Sequence, residues 1–191
     1  MERDWPKYFE LTKDKPPRPL LVKALSFVKE KGNALDIGAG ALNDSLHLLA
    51  EGFTHVTALD KEPIAQEIAQ GLPADTFAYV ISSAEDFDFP RNTFNLVNAQ
   101  YALPFISKES FNGVWSKIKD SLKEEGIFTG QLFGERDEWA NNGDMTFHTE
   151  AEVRRLLSDF EVLDFEEKEK DQPTASGVMK HWHVFHFIVR K

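Results

Sequence analysis

Short apolar runs and helix-period stripes take turns along this chain, separated by glycine, proline and acidic residues. Ala34, Leu35 and Ile37 make a compact apolar run of the kind a strand covered on both faces requires. Leu42, Leu46, Leu49 and Ala50 then recur at helical spacing, and Gly52 supplies a stop. Between run and stripe, Gly38 and Gly40 allow a sharp turn and close approach of a ligand to bare main chain. The pattern predicts strand, glycine turn and helix from Ala34 to Gly52.

The same reading continues along the chain. His55–Leu59 predicts a second strand closed by Asp60, and Lys61, Glu62 and Pro63 open a helix with Ile64 and Ile68 inward. Phe77–Ile81 predicts a third strand, followed by the loop Ser82–Pro90. Phe94, Leu96 and Val97 predict a fourth, inside Asn92–Ile106. Ser107 caps a helix over Lys108–Lys123, whose stripe is Phe111, Val114, Trp115, Ile118 and Leu122. Ile127–Phe133 predicts a fifth strand, and a long loop runs from Gly134 to Phe147, a length that often marks function. Thr149 and Glu152 form a capping box for the helix bearing Val153, Leu156 and Leu157. Phe160–Glu167 and Val178–Val189 predict strands six and seven around a turn at Asp171–Gly177, the last strand antiparallel by hairpin logic. Upstream, Met1–Lys15 predicts a helix with Trp5, Tyr8 and Phe9 on one face. Pro16, Pro17 and Pro19 hold Arg18 on an extended backbone, and Leu20–Lys31 predicts a further helix.

The glycine turn carries the chemistry. A dinucleotide turn wants a third small residue, yet Asn43 stands there. Asp36, two residues before Gly38, would repel a pyrophosphate and suits a cation such as an ammonium. Asp60 after the second strand can accept two ribose hydroxyls. Asp36, Gly38, Gly40 and Asp60 together ask for a ribose plus a positive charge without diphosphate, which disfavours a nucleotide-dependent oxidoreductase.

Composition narrows the partners. The 191 residues are 41% hydrophobic and 28% charged, ordinary for one globular domain, 1–191. The net charge is −10 with no basic stripe, and Glu161–Asp171 is strongly acidic, so nucleic acid is not the expected partner. There is no apolar run of membrane-span length, so no membrane partner is expected. Cysteine is absent, which excludes thiolate chemistry, and a cytoplasmic setting is expected. A small-molecule acceptor is the simplest fit; the oligomeric state stays open.

These features resemble the class I S-adenosylmethionine-dependent methyltransferases, of the tellurite-resistance and small-molecule type, over most of the chain. The resemblance implies a Rossmann-like, doubly wound α/β fold with a seven-stranded sheet, mostly parallel with an antiparallel C-terminal hairpin strand. Residues 1–31 become an N-terminal helical cap, with Tyr8 and Phe9 as lid candidates. S-adenosyl-L-methionine is the implied cofactor. Asp36, Gly38, Ala39, Gly40, Asp60 and Lys61 are its implied ligands, with Arg18 on the methionine carboxylate. Ser83, Ala84 and Glu85 stand where the family holds the adenine ring, with Asp86 as the alternative acid. Ala99, Gln100 and Tyr101 stand where acceptor meets methyl, and depart from the Asn-Pro-Pro-Tyr form of DNA and protein amide methyltransferases. The helix start also departs, since Leu42 stands where many relatives carry a third glycine.

Acceptor-side candidates come from the loops. Tyr8, Tyr101 and His148 are candidate bases; Arg136 could hold an anionic acceptor bidentately, and Trp139 lies in the same long loop. His181 and His183 share one strand face and His186 takes the other, which does not satisfy metal-site spacing, so no metal is expected. A non-catalytic S-adenosylmethionine-binding or partner-binding domain is the alternative from another class.

Overall fold

The computed structural model describes residues 4–191; Met1–Arg3, the start of the predicted first helix, lie outside the described residues. The first two elements are α1 (Trp5–Thr12) and α2 (Pro19–Leu25). They are followed by β1 (Asn33–Ile37), α3 (Asn43–Ala50), β2 (His55–Asp60), α4 (Gln66–Gln70) and β3 (Phe77–Ile81). Next come β4 (Phe94–Ala99), α5 (Lys108–Ser121), β5 (Leu122–Gly134) and β6 (Phe147–His148). The chain closes with α6 (Glu150–Leu157), β7 (Glu161–Pro173) and β8 (Met179–Arg190).

The strands form one sheet in the order β3-β2-β1-β4-β5-β8-β7, with β6 pairing β5 off that path. β1, β2, β3, β4 and β5 run parallel, while β8 is antiparallel to β5 and β7. Side chains alternate across each strand, so the sheet divides the core in two. Leu35, Ile37, Val97, Phe128 and Phe187 join Phe111, Val114, Trp115 and Ile118 of α5 on one face. Ala34, Val56, Leu96, Ile127 and Ile188 join Leu21 of α2 and Leu48 of α3 on the other. Both faces are covered, which is why the central strands read as continuous apolar runs.

Several boundaries differ from the sequence reading. Among the described residues the seven expected strands form, and an eighth joins them because Phe147–His148 at the end of the long loop pairs with Phe133 and Gly134. Two residues are too few for a periodic signal. The ribbon strand β7 extends to Pro173, into the predicted turn, because Glu169, Asp171 and Pro173 find register partners in His183, His181 and Met179. Its run of charged residues suits an exposed sheet edge. α2 stops at Leu25 and α5 at Ser121, both short of expectation. After β2 comes a 3₁₀ turn, Pro63–Ala65, and then the short α4, leaving Ile68 at 40% exposure instead of inward. The capping box of Thr149 and Glu152 forms as predicted.

Candidate active site

The parallel strands deliver their carboxyl ends to one large cavity of about 1250 Å³. Gly38 and Gly40 form its floor, both with positive φ, 69° and 50°. A Cβ at Gly38 would stand 2.6 Å from the Ala102 Cβ, so that position admits only glycine. The turn is laced to β2: Gly38 and Ala39 donate their N–H groups to the Leu59 carbonyl at 2.8 and 3.1 Å. Asp60, on the same wall, accepts from the Gly40 N–H at 2.7 Å and from the Glu62 N–H at 3.0 Å. Those bonds fix the orientation of the carboxylate and leave it lone pairs for a ligand.

Lys61 flanks Asp60 and holds its Nζ 5.3 Å from the centre of the Trp5 ring, across the cavity mouth. Ser83, Ala84 and Glu85 line the next stretch of wall. Ser83 donates its hydroxyl to Asp86 at 2.8 Å and accepts the Asp86 N–H, so the two candidate adenine contacts form one turn. On the opposite side Arg18 donates to the Tyr8 hydroxyl at 3.0 Å and stands 5.3 Å from the centre of the Tyr101 ring. Tyr101 itself is left-handed, with φ 57°, at the exit of β4. Strained backbone of that kind concentrates at functional sites.

Asp36 is placed differently from expectation. It is 2% exposed and does not line the cavity. Its carboxylate accepts from Ser45 Oγ at 2.5 Å and from Asn98 Nδ2 at 2.8 Å. Burial, and then the neighbouring Asp44 carboxylate, push its carboxyl up to about 7. Asn98 also reaches Asp44 at 3.2 Å, and Asp44 accepts the Arg18 N–H at 2.8 Å. The relay runs outward as Gln100 donates to Asn98, Gln131 donates to Gln100, and Tyr101 donates its N–H to Gln131. Asp36 therefore positions the cavity wall through Asn98 and Gln100 rather than facing a ligand. Sequence reasoning passed over Asn98 and Gln131 because a strand residue gives no sign of its partner across the sheet.

The far half of the cavity is aromatic. Tyr101, Phe105, Phe133, Trp139 and Trp182 line it, their rings meeting edge to face or tilted at 5.7–6.3 Å. Lys180 closes this end. Its Nζ lies 3.7 Å from the Trp182 ring centre and 4.4 Å from that of Trp139. Asp137 neutralises it at 2.5 Å in a pair whose side chains are 1% and 0% exposed. Burial lowers the Lys180 pKa against the pull of Asp137. Period-2 alternation along β8, which puts Lys180, Trp182, Val184 and His186 on one face, is the signal that could have found these residues.

Besides Asp36, four predicted residues stand elsewhere. Ala39 and Ala99 are core residues behind the cavity surface. His148 does not line the cavity; it is 8% exposed, packs 4.7 Å from the Phe111 ring, and is held below the ordinary histidine pKa by burial. Arg136 also points elsewhere, because Glu167 and Glu169 of the ribbon compete for it at 2.8 and 2.7 Å. Glu167, Glu169 and His183 come close enough together to suggest a metal site, but the Arg136 guanidinium ties the two carboxylates and approaches His183 Nε2 at 3.1 Å.

The sheet order and the glycine turn define a class I methyltransferase fold. A family model described as a methyltransferase domain matches residues 34–126. Among solved structures, TehB from Haemophilus influenzae superposes with TM-score 0.73 at 16% identity, covering 90% of this chain and 61% of its own. This chain thus spans under two thirds of that protein. The 1,6-didemethyltoxoflavin-N1-methyltransferase of Burkholderia thailandensis, solved with 1,6-didemethyltoxoflavin and S-adenosylhomocysteine, gives 0.68 at 22% identity, covering 91% and 77%. A S-adenosylmethionine-dependent methyltransferase from Methanosarcina mazei gives 0.67 at 20%, covering 93% and 99%. No curated protein sequence matches this chain.

Proposed function

We propose that this protein transfers the methyl group of S-adenosylmethionine to a small-molecule acceptor, in the cytoplasm, with neither nucleic acid nor membrane as partner. One observation carries the reading: the bare Gly38–Gly40 turn and the Asp60 carboxylate face the same cavity. Its 1250 Å³ exceeds the ~300–1,000 Å³ of an ordinary ligand pocket, which leaves space for an acceptor beside a nucleoside. None of the described helices is long and apolar enough to cross a membrane.

The donor supplies a methyl group already activated on a sulfonium. The protein's own tasks are to bind, align and exclude water. Asp60 takes the ribose hydroxyls, Gly38 and Gly40 let the main chain approach, and Ser83, Ala84 and Glu85 read the adenine edge. Arg18, steered by Tyr8 and by its own N–H to Asp44, takes the carboxylate. Tyr101 and Gln100 form the border between the two halves of the cavity.

Calorimetry with S-adenosylhomocysteine tests this. Binding is expected for the native protein and a loss of about ten- to a hundredfold for Asp60→Ala, the worth of one charge-assisted hydrogen bond. A nicotinamide dinucleotide should not compete. Absence of S-adenosylhomocysteine binding would overturn the reading.

A further inference from the structure

The aromatic half of the cavity, together with one histidine on its wall, bears on the acceptor. We infer that this half takes a planar aromatic acceptor with an ionisable N–H or O–H, and that His186 receives its proton as the methyl group arrives. The inference rests on the methyltransferase reading above.

The shape argument comes first. Trp5, Tyr101, Phe105, Phe133, Trp139 and Trp182 all line the cavity. Their edge-to-face and tilted contacts present ring faces and edges against which a flat molecule stacks. A small oxyanion would need cationic donors there instead. The Lys180 ammonium at that end is already spent on Asp137.

The proton argument follows from strand register. His186 lies opposite Gln131 on β5 and Glu166 on β7, and lines the cavity. Its ring centre is 6.4 Å from that of Tyr101, so it stands at the border between the two halves. No described residue hydrogen-bonds its ring nitrogens, and the Gln131 amide beside it is committed to Gln100 and Tyr101. Asp164, Glu166, Lys168 and Lys170 face it from β7, with Asp164 paired to Lys23 and Glu166 to Lys168. Burial, then Lys168, hold the imidazole down to about 4, so it is neutral and able to accept a proton at neutral pH. The Tyr101 phenol is pushed up by burial and keeps its own proton.

In the step, the acceptor nitrogen or oxygen forms a bond to the methyl carbon. The carbon–sulfur bond breaks with its electron pair kept by sulfur, and the acceptor's proton passes to a His186 ring nitrogen. An atom gaining a methyl group becomes much more acidic, so even a weak base suffices. The proton then leaves to solvent through the cavity mouth.

The test uses the full chain, S-adenosylmethionine and three probes: lumazine, 2-naphthol and thiophenol, the last ionised at pH 8. Lumazine or 2-naphthol is expected to quench tryptophan fluorescence on binding, to shift the His186 ring signals in NMR, and to be methylated. In His186→Gln, S-adenosylhomocysteine and probe affinities should stay within threefold. Turnover of the protonated probe should fall about a hundredfold or more, and that of thiophenolate should stay within twofold. His186→Ala with added imidazole should regain part of the lost turnover, and serves if the glutamine variant fails to fold. Equal loss with all probes, no loss with any, or a protein that binds S-adenosylhomocysteine but neither binds nor methylates lumazine and 2-naphthol would each overturn the inference. The methyltransferase reading would survive those results and falls only if S-adenosylhomocysteine does not bind.

Discussion

Gly40 donates its backbone hydrogen to Asp60 Oδ2 at 2.7 Å, tying the tip of the glycine turn to the end of β2. The two residues are twenty positions apart in sequence, and this bond sets the width of the floor between them. The shape of the turn therefore fixes the orientation of the Asp60 carboxylate.

Gly38→Ala should damage the fold. Its Cβ would meet the Ala102 Cβ at 2.6 Å on a backbone with φ 69°. The left-handed penalty of ~1–2 kcal/mol adds to an overpacking cost of ~1–3 kcal/mol. Gly40→Ala meets nothing nearer than 3.9 Å, so only the first penalty applies. Urea unfolding should rank Gly38→Ala well below Gly40→Ala. The reverse order would contradict the geometry.

Asp36 gives the fold a pH dependence of unusual sign. Its folded-state value, about 7, lies above the ordinary 3.8, so the folded chain holds this proton more tightly than the unfolded chain. That contribution is full below about pH 4 and is lost as pH rises toward 7. In Asp36→Asn the amide can still accept from Asn98 and donate to Ser45, but it cannot ionise. The Tm difference, native minus variant, should fall by several degrees between pH 5 and pH 8. A flat difference would mean that Asp36 ionises freely in place.

Asp137 and Lys180 hold the long loop onto β8. Asp137 also accepts N–H groups from Trp139 at 3.0 Å and His183 at 3.2 Å. Asp137→Ala leaves a buried ammonium and two amides without their acceptor, and should cost ~3–5 kcal/mol. Lys180→Met, which keeps the stem among the tryptophans, should be the milder change. Thermal melting with tryptophan fluorescence reads both.

Arg136 should prove dispensable for turnover. Glu167 and Glu169 hold it on the face of β8 opposite the cavity, where His183 also lies. Arg136→Ala should leave KM for donor and acceptor within twofold. Arg18→Ala should weaken S-adenosylhomocysteine binding by about tenfold, the worth of a single charge-assisted hydrogen bond to the ligand carboxylate. Calorimetry and steady-state rates distinguish the two arginines.

The sequence by itself determined the central parallel strands, the glycine turn and Asp60 as its neighbour. Those features are local: burial on both faces demands continuous apolar runs, and a backbone bend demands glycine. It determined also that His186 faces away from His181 and His183, because strand period is a covalent property. Only the tertiary structure decided where charged side chains spend their hydrogen bonds. Asp36 looked like a ligand and is consumed by Ser45 and Asn98; Arg136 looked like an anion clamp and is consumed by Glu167 and Glu169. Lys180 gave no sign of being buried, because Asp137 reaches it from 43 positions away in sequence. A strand's apolar face is written in its own residues, whereas the partner of a charge is chosen by which distant segment the sheet brings beside it.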